Sequence, residues 1–393
     1  MQDLPKADVL IVAAEASSEL YASRILEEVK SRGLSLNFFG IGSQRMEDLG
    51  CEIIEKSENM AVVGFWEVLA HWKTIVRAFK GLVRMADKRK PSMALLLDYP
   101  DFNLRLAKKL KHRSVPVIYY ISPQIWAWRQ SRVHLIKKIV SKMLVVFPFE
   151  KEFYEKFRMP VKFVGHPLLD EVKKTSLDAD KRQQVRQKLG IAKDDFLVAL
   201  LPGSRHSELK YNFRTQIQTA LSINAQRPKT QFLILVAPTL NVSDIKKLIP
   251  LNFTLPLRVV KDDPLRILQA SDVALVASGT ATLVTGLAET PMVIMYKMNI
   301  LTGFLAKFLV KGPKFFGMAN LIMNEKVAPE FFQKQANPVQ ISNEMIRYID
   351  DEPYREATKA KLRLLKEKLG GPGATKLVVD SMIEIMNQKK VLK

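Results

Sequence analysis

A chain of 393 residues with a hydrophobic fraction of 47% is too long for one ordinary core and apolar enough to fill two, which excludes a disordered protein or a small disulfide-stapled one. Its 61 lysines and arginines against 40 aspartates and glutamates leave a net charge of +21, which directs it toward an anionic partner. The basic residues are spread along the chain without a zinc-finger or RNP signature, so a membrane surface ranks above nucleic acid, and the single cysteine, Cys51, fits a reducing cytoplasm.

In the first half, buried-strand runs at 7–13, 36–40, 93–98, 116–121, 143–147 and 161–164 alternate with helical stretches, the first at 17–31. This rhythm predicts a parallel sheet. Asp3, Lys6 and Asp8 stand where a signal segment would form, and the longest apolar run, 273–288, falls short of the about 20 residues of a spanning helix.

Residues 65–90 form the clearest amphipathic segment. Trp66, Leu69, Trp72, Val76, Phe79 and Val83 recur at steps of three or four, among Lys73, Arg77, Lys80, Arg84, Lys88, Arg89 and Lys90. A core helix explains the stripe but not tryptophans beside so much positive charge, which predict interfacial docking on an anionic membrane. The basic and apolar stretch 301–311 is expected to add to that surface.

Residues 170–189 are polar and predict a linker running into the helix that opens a second domain. Strand runs at 196–201, 231–237, 257–260, 273–277 and 292–295 then repeat the rhythm. The tail, 353–393, is helical in pattern, broken at Gly370-Gly-Pro-Gly373, with Leu377, Val378, Met382 and Ile385 on one face. The expected organisation is α/β, with a Rossmann-like domain at 1–172, a second at 186–368, and a helix at 369–393 packing back toward the first.

In open parallel sheets ligands sit beyond the carboxyl ends of the strands. Asp98 follows Leu95-Leu-Leu97 there and is a candidate general base, whereas Asp101 reads more readily as a helix cap. Ser122-Pro-Gln124-Ile-Trp126-Ala-Trp128-Arg129 follows the next strand, and its tryptophans offer either core packing or a ligand wall. Leu201-Pro-Gly203-Ser204-Arg205 and Ala277-Ser278-Gly279-Thr280-Ala281 each follow an apolar run and open a helix. Free N–H groups at the two turns, with the forked cation of Arg205, suit phosphoryl oxygens.

These segments, together with Ala14-Glu15-Ala-Ser17, Gly42-Ser-Gln-Arg-Met46, Ala61-Val-Val-Gly64, Phe147-Pro-Phe-Glu150, Gly165-His-Pro167 and Asn320-Leu321, occur in the order and at the intervals of one family. Over nearly its whole length the chain resembles the lipid-A-disaccharide synthases. The resemblance implies a glycosyltransferase of GT-B architecture, two Rossmann-like domains facing across a cleft. It further implies transfer of diacylglucosamine from UDP-2,3-diacylglucosamine to the 6-hydroxyl of 2,3-diacylglucosamine 1-phosphate with inversion, with no metal or other cofactor. The implied setting is cytoplasmic, peripheral on the inner membrane. By position, Asp98, Arg205 and Asn320 match the catalytic residues, and Gly203, Ser204, Ser278, Gly279 and Thr280 the UDP-binding turns. Glu15, Ser17, Gln124 and Trp126 match acceptor-side loops.

Four positions depart from the pattern: Ala14 and Ser18 replace glycines, Glu19 an aspartate, and Val284 a glutamate that commonly grips the donor ribose. They keep open a paralogue with another nucleotide-sugar donor, or a catalytically weak membrane- or nucleotide-binding relative. A dehydrogenase is disfavoured, because Ala13-Ala-Glu-Ala-Ser-Ser-Glu19 lacks the Gly-x-Gly-x-x-Gly fingerprint.

Overall fold

A computed structural model describes residues 7–60, 65–250, 253, 255–298 and 315–391. The chain divides into two compact units, 1–167 with 371–393, and 168–370.

Unit 1 is built on a parallel sheet of β1 (Ala7–Ala13), β2 (Leu36–Gly42), β3 (Glu52–Lys56), β4 (Met93–Leu97), β5 (Val117–Tyr120), β6 (Lys142–Val145) and β7 (Val161–Phe163). Its order is β3-β2-β1-β4-β5-β6-β7, the doubly wound arrangement in which the winding reverses between β1 and β4. The apolar runs are continuous because both faces are covered. Leu10, Val12, Ala94 and Leu96 face a core that includes Ala78, Leu82 and Ala86 of the helix Phe65–Arg89 and Leu106 and Leu110 of the helix Pro100–Lys111. Val9, Ile11, Leu95 and Leu97 face the opposite core, closed by Tyr21 and Ile25 of the helix Ala16–Ser31 and by Val378, Val379, Met382 and Met386 of the helix Ala374–Val391.

Unit 2 repeats the plan with β8 (Phe196–Leu201), β9 (Thr230–Leu235), β10 (Leu257–Val260), β11 (Val273–Ala277), β12 (Met292–Tyr296) and β13 (Glu330–Phe332), in the order β10-β9-β8-β11-β12-β13. The polar stretch 170–189 holds two helices of this unit, Leu168–Thr175 and Ala179–Lys188. Asp272 fastens the second of them. Its carboxylate accepts from Arg182 Nη2 at 2.6 Å, Arg186 Nη1 at 3.1 Å and the Leu197 N–H at 2.7 Å. Arg186 is 2% exposed and also donates to the Ala270 carbonyl, so its buried charge is paired and hydrogen-bonded.

The strands at 7–13, 196–201, 257–260 and 273–277 match their predicted limits, and the others shift by a residue or two at their ends. β3 and β13 carry no sequence prediction. Each lies at a sheet edge, is short and only half-buried, and so lacks an apolar run. The stretch 301–311 lies outside the described residues. Among the described residues no helix is long and apolar enough to cross a membrane.

Candidate active site

In unit 1 the winding reversal brings the ends of β1 and β4 together, with Ala13 in register with Leu97. Glu15 and Asp98 follow those residues. Asp98 and Tyr99 both adopt left-handed backbone, φ 48° and 45°, which is costly for side-chain-bearing residues and is held only by surrounding contacts. Those contacts are specific. The Asp98 carbonyl accepts from Asn103 Nδ2 at 2.7 Å and from the Tyr119 hydroxyl at 2.5 Å, while its N–H donates to the Tyr120 carbonyl at 3.0 Å. Pro100 at the first turn of the next helix fixes the exit of the chain. The backbone of Asp98 is thus fixed at the carboxyl end of β4. Burial and, secondarily, the charge of Glu15 push the Asp98 carboxyl up to about 7, against the Tyr99 backbone N–H, which favours the ionised form.

Asp98 lines a cavity of about 310 Å³ with Ser122, Gln124, Arg129, Arg132 and Glu150. Glu150, 1% exposed, accepts the Val146 and Phe147 N–H groups at 3.3 and 3.2 Å, and burial raises its carboxyl to about 8. Its place as the third residue of a helix opened by Pro148 is a capping signal present in the sequence and overlooked there. His166, another buried titratable group, packs on Phe147 at 5.3 Å between ring centroids. Burial lowers it to about 3, leaving it a feeble proton acceptor at neutral pH.

The other unit 1 positions divide. Glu15 and Ser17 are exposed at the start of the helix Ala16–Ser31, where the Ser18 hydroxyl accepts the Glu15 N–H at 3.0 Å. Gln124 lines the cavity, whereas Trp126 packs edge-on against Phe149 at 4.8 Å and is not among the lining residues. The side chains of Trp66, Leu69 and Trp128 lie outside the described residues. Trp72 is 51% exposed, and Val76 and Phe79 border a larger groove beside it.

In unit 2 both predicted turns stand where the winding reverses, after β8 and β11. Gly203 has φ 137°, and a Cβ there would lie 2.5 Å from Glu208 Cβ, so only glycine fits. Glu208 Oε2 accepts the Ser204 N–H at 2.7 Å and lies 3.3 Å from its hydroxyl, giving the turn a fixed shape. Arg205 caps the helix His206–Gln226 through its carbonyl, which accepts from Glu208 and Leu209 at 3.0 Å, and is exposed. Gly279, exposed with φ 151°, precedes the helix Thr280–Leu287, whose first residue, Thr280, is also exposed. Ser278 Oγ donates to the Phe316 carbonyl at 3.0 Å. Val284 is half-buried on that helix.

Asn320 departs from the role expected of it. Its side chain is wholly buried, donating to the Ala328 carbonyl at 2.7 Å and Glu330 Oε1 at 2.8 Å and accepting the Val327 and Ala328 N–H groups at 2.8 Å. Both amide atoms are thus occupied by groups of the protein itself. Glu330, unmarked in the sequence, extends the arrangement toward Ser278, accepting the Phe316 and Gly317 N–H groups at 2.9 and 2.8 Å. Among the described residues no group of three or more His, Cys, Asp or Glu side chains is placed to hold a metal ion.

Comparison with known proteins identifies the fold and the family. Two solved structures share the fold: UDP-GlcNAc 2-epimerase from Neisseria meningitidis bound to UDP-GlcNAc (TM-score 0.64, 13% identity, 96% of this chain and 100% of that one) and Acinetobacter baumannii MurG (TM-score 0.58, 13% identity, 97% and 100%). At such identities the likeness shows the fold alone, the two Rossmann-like domains of the GT-B class. Sequence relatives are far nearer. The lipid-A-disaccharide synthase of Trichlorobacter lovleyi is 40% identical over 380 residues, 97% of this chain and 98% of that protein, and that of Geobacter sulfurreducens is 39% identical over 381 residues with the same coverage. The family model described as lipid-A-disaccharide synthetase matches residues 9–376. The chain therefore belongs to the lipid-A-disaccharide synthase family of glycosyltransferases.

Proposed function

We propose that the protein joins the diacylglucosamine of UDP-2,3-diacylglucosamine to the 6-hydroxyl of 2,3-diacylglucosamine 1-phosphate, releasing UDP and inverting the anomeric centre. The observation that carries the reading is Asp98: a carboxyl held in strained backbone at the winding reversal of unit 1, with its ionisation raised to about 7. A base must accept the hydroxyl proton as the new bond forms, and it works best when its pKa lies near the working pH. Asp98 meets that requirement, and His166 does not.

The departing UDP gains negative charge. Arg205 and the N–H groups of the turns at Gly203 and Gly279 in unit 2 supply donors for a diphosphate without help from another residue type. Asn320, through Glu330, keeps the 316–317 backbone in place beside Ser278. The acceptor is held by unit 1 and the donor diphosphate by unit 2.

Both substrates are lipids, and the exposed Trp72 with Lys73, Arg77, Lys80 and Arg84 on the helix Phe65–Arg89 supports docking on the anionic cytoplasmic surface of the inner membrane. Purified protein incubated with the two acylated glucosamines tests the function. Disaccharide 1-phosphate and UDP are expected in equal amounts, and release of UDP without disaccharide overturns the proposal.

A further inference from the structure

The helices Phe65–Arg89 and Pro100–Lys111 leave between them a groove of about 1200 Å³, beyond the usual range of about 300–1,000 Å³ for small-molecule pockets. Ile75, Val76, Phe79, Val83 and Phe102 give it an apolar lining, and Phe79 meets Phe102 edge-on at 5.6 Å. Lys80, Arg84, Arg105 and Lys109 also border it, and none forms an ion pair among the described residues, whereas Arg113 is tied to Asp87 at 2.7 Å. The groove reaches Glu15 and Tyr99. Pro100 and Asp101 line both this groove and the Asp98 cavity, so a large apolar space and a smaller one bordered by Asp98, Ser122, Gln124 and Glu150 meet at a common wall.

We propose that this groove seats the acyl chains of the acceptor while its sugar occupies the Asp98 cavity, and that the unpaired cations on its border attract the acceptor's phosphate. The inference rests on the acceptor reading of unit 1. Apolar lining, cationic border and a shared wall with the proposed base together match a molecule with acyl tails, an anionic group and a reacting hydroxyl. The donor is not the occupant, because its diphosphate is assigned to turns in unit 2. The groove then selects for acylated acceptors by burying their methylenes, whose contribution grows with chain length.

Val83→Trp and Ile75→Trp place an indole in the groove from two positions on one helix. The acceptor is presented in detergent micelles, either with long acyl chains or as the butyryl analogue, and thermal unfolding checks that each variant folds. Either folded variant is expected to raise KM for the long-chain acceptor at least tenfold, with KM for the donor and turnover of the butyryl analogue near the parent's. Equal effects on both acceptors, no effect on either, or an effect seen only when the acceptor is embedded in vesicles would overturn the groove assignment, the last in favour of membrane docking alone. Failure of the parent protein to make disaccharide from either acceptor would instead remove the function on which the inference rests.

Discussion

Asp98 and Glu15 sit one and two residues beyond a registered strand pair, Leu97 with Ala13, and the charge of Glu15 raises the ionisation of Asp98. Removing that charge should lower the Asp98 pKa, although burial, the larger cause, remains. Glu15→Gln is therefore expected to move the acidic limb of the kcat/KM profile, which should lie near pH 7 in the parent, to lower pH by a few tenths of a unit or more. Asp98→Asn should reduce turnover at least ~10²-fold at all pH values while leaving UDP binding intact. An acidic limb unmoved by Glu15→Gln removes the coupling, and near-parental turnover of folded Asp98→Asn removes the base.

The same carboxyl groups set the pH dependence of stability. Asp98 and Glu150 have folded values raised from 3.8 to about 7 and from 4.5 to about 8, so between the unfolded and folded values the native state holds more protons than the unfolded state. Their contribution to stability is present in full at low pH and declines as pH climbs through that window, levelling off above about 8. Asp98→Asn and Glu150→Gln should each flatten the corresponding decline between pH 4 and 8, measured by urea unfolding across that range, and a steeper decline in either variant contradicts the assignment.

Arg205 offers a different test because it is exposed and its guanidinium forms no hydrogen bond or ion pair among the described residues. Arg205→Ala should weaken UDP binding by about tenfold or more, and Arg205→Lys should restore only part of it, since the ammonium lacks the fork. Unfolding temperature should stay within a degree or two. Calorimetric titration reporting parental UDP affinity for both variants would displace the diphosphate from this turn.

Asn320→Ala should behave in the opposite way. It leaves two N–H groups, a carbonyl and one oxygen of Glu330 without their buried partner, and an unsatisfied buried group costs about 1–3 kcal/mol. Unit 2 should lose several kelvin of thermal stability and UDP affinity should fall with it. An unchanged unfolding temperature with lost turnover would point to direct contact with substrate.

Membrane docking is tested by co-sedimentation with anionic vesicles. Binding should weaken as salt is added, and Trp72→Ser should weaken it further at every salt concentration. Indifference to both changes returns the helix Phe65–Arg89 to a purely structural role.

Much of this was legible in the sequence because a doubly covered parallel sheet writes itself as long apolar runs, and because the ends of β4, β8 and β11 are marked by Asp98, Gly203 and Gly279 immediately after such runs. The edge strands β3 and β13 were not, since Glu52–Lys56 and Glu330–Phe332 each hold only two adjacent apolar residues, too few to read as a buried run. The apolar stripe of residues 65–90 was visible, but the residues buried in the core are Ala78, Leu82 and Ala86, while Phe79 and Val83 pack against that core half-buried and, with Val76, border the groove. Small buried residues leave little trace in a pattern dominated by aromatic ones. Glu208 and Glu330, and the capping role of Glu150, escaped notice for a related reason: a carboxylate that serves backbone N–H groups looks, in a string of letters, like any solvated charge.

The helix Ala374–Val391 has a consequence for synthesis. It closes one face of the sheet that contains the strand Ala7–Ala13, so that strand leaves the ribosome more than 350 residues before the helix that covers it. Unit 2, continuous from 168 to 370, can complete itself in the interval. Until Val378, Val379, Met382 and Met386 emerge, Val9, Ile11, Leu95 and Leu97 lack part of their cover, and the nascent chain exposes its most apolar strands for the whole time that its second domain takes to be made.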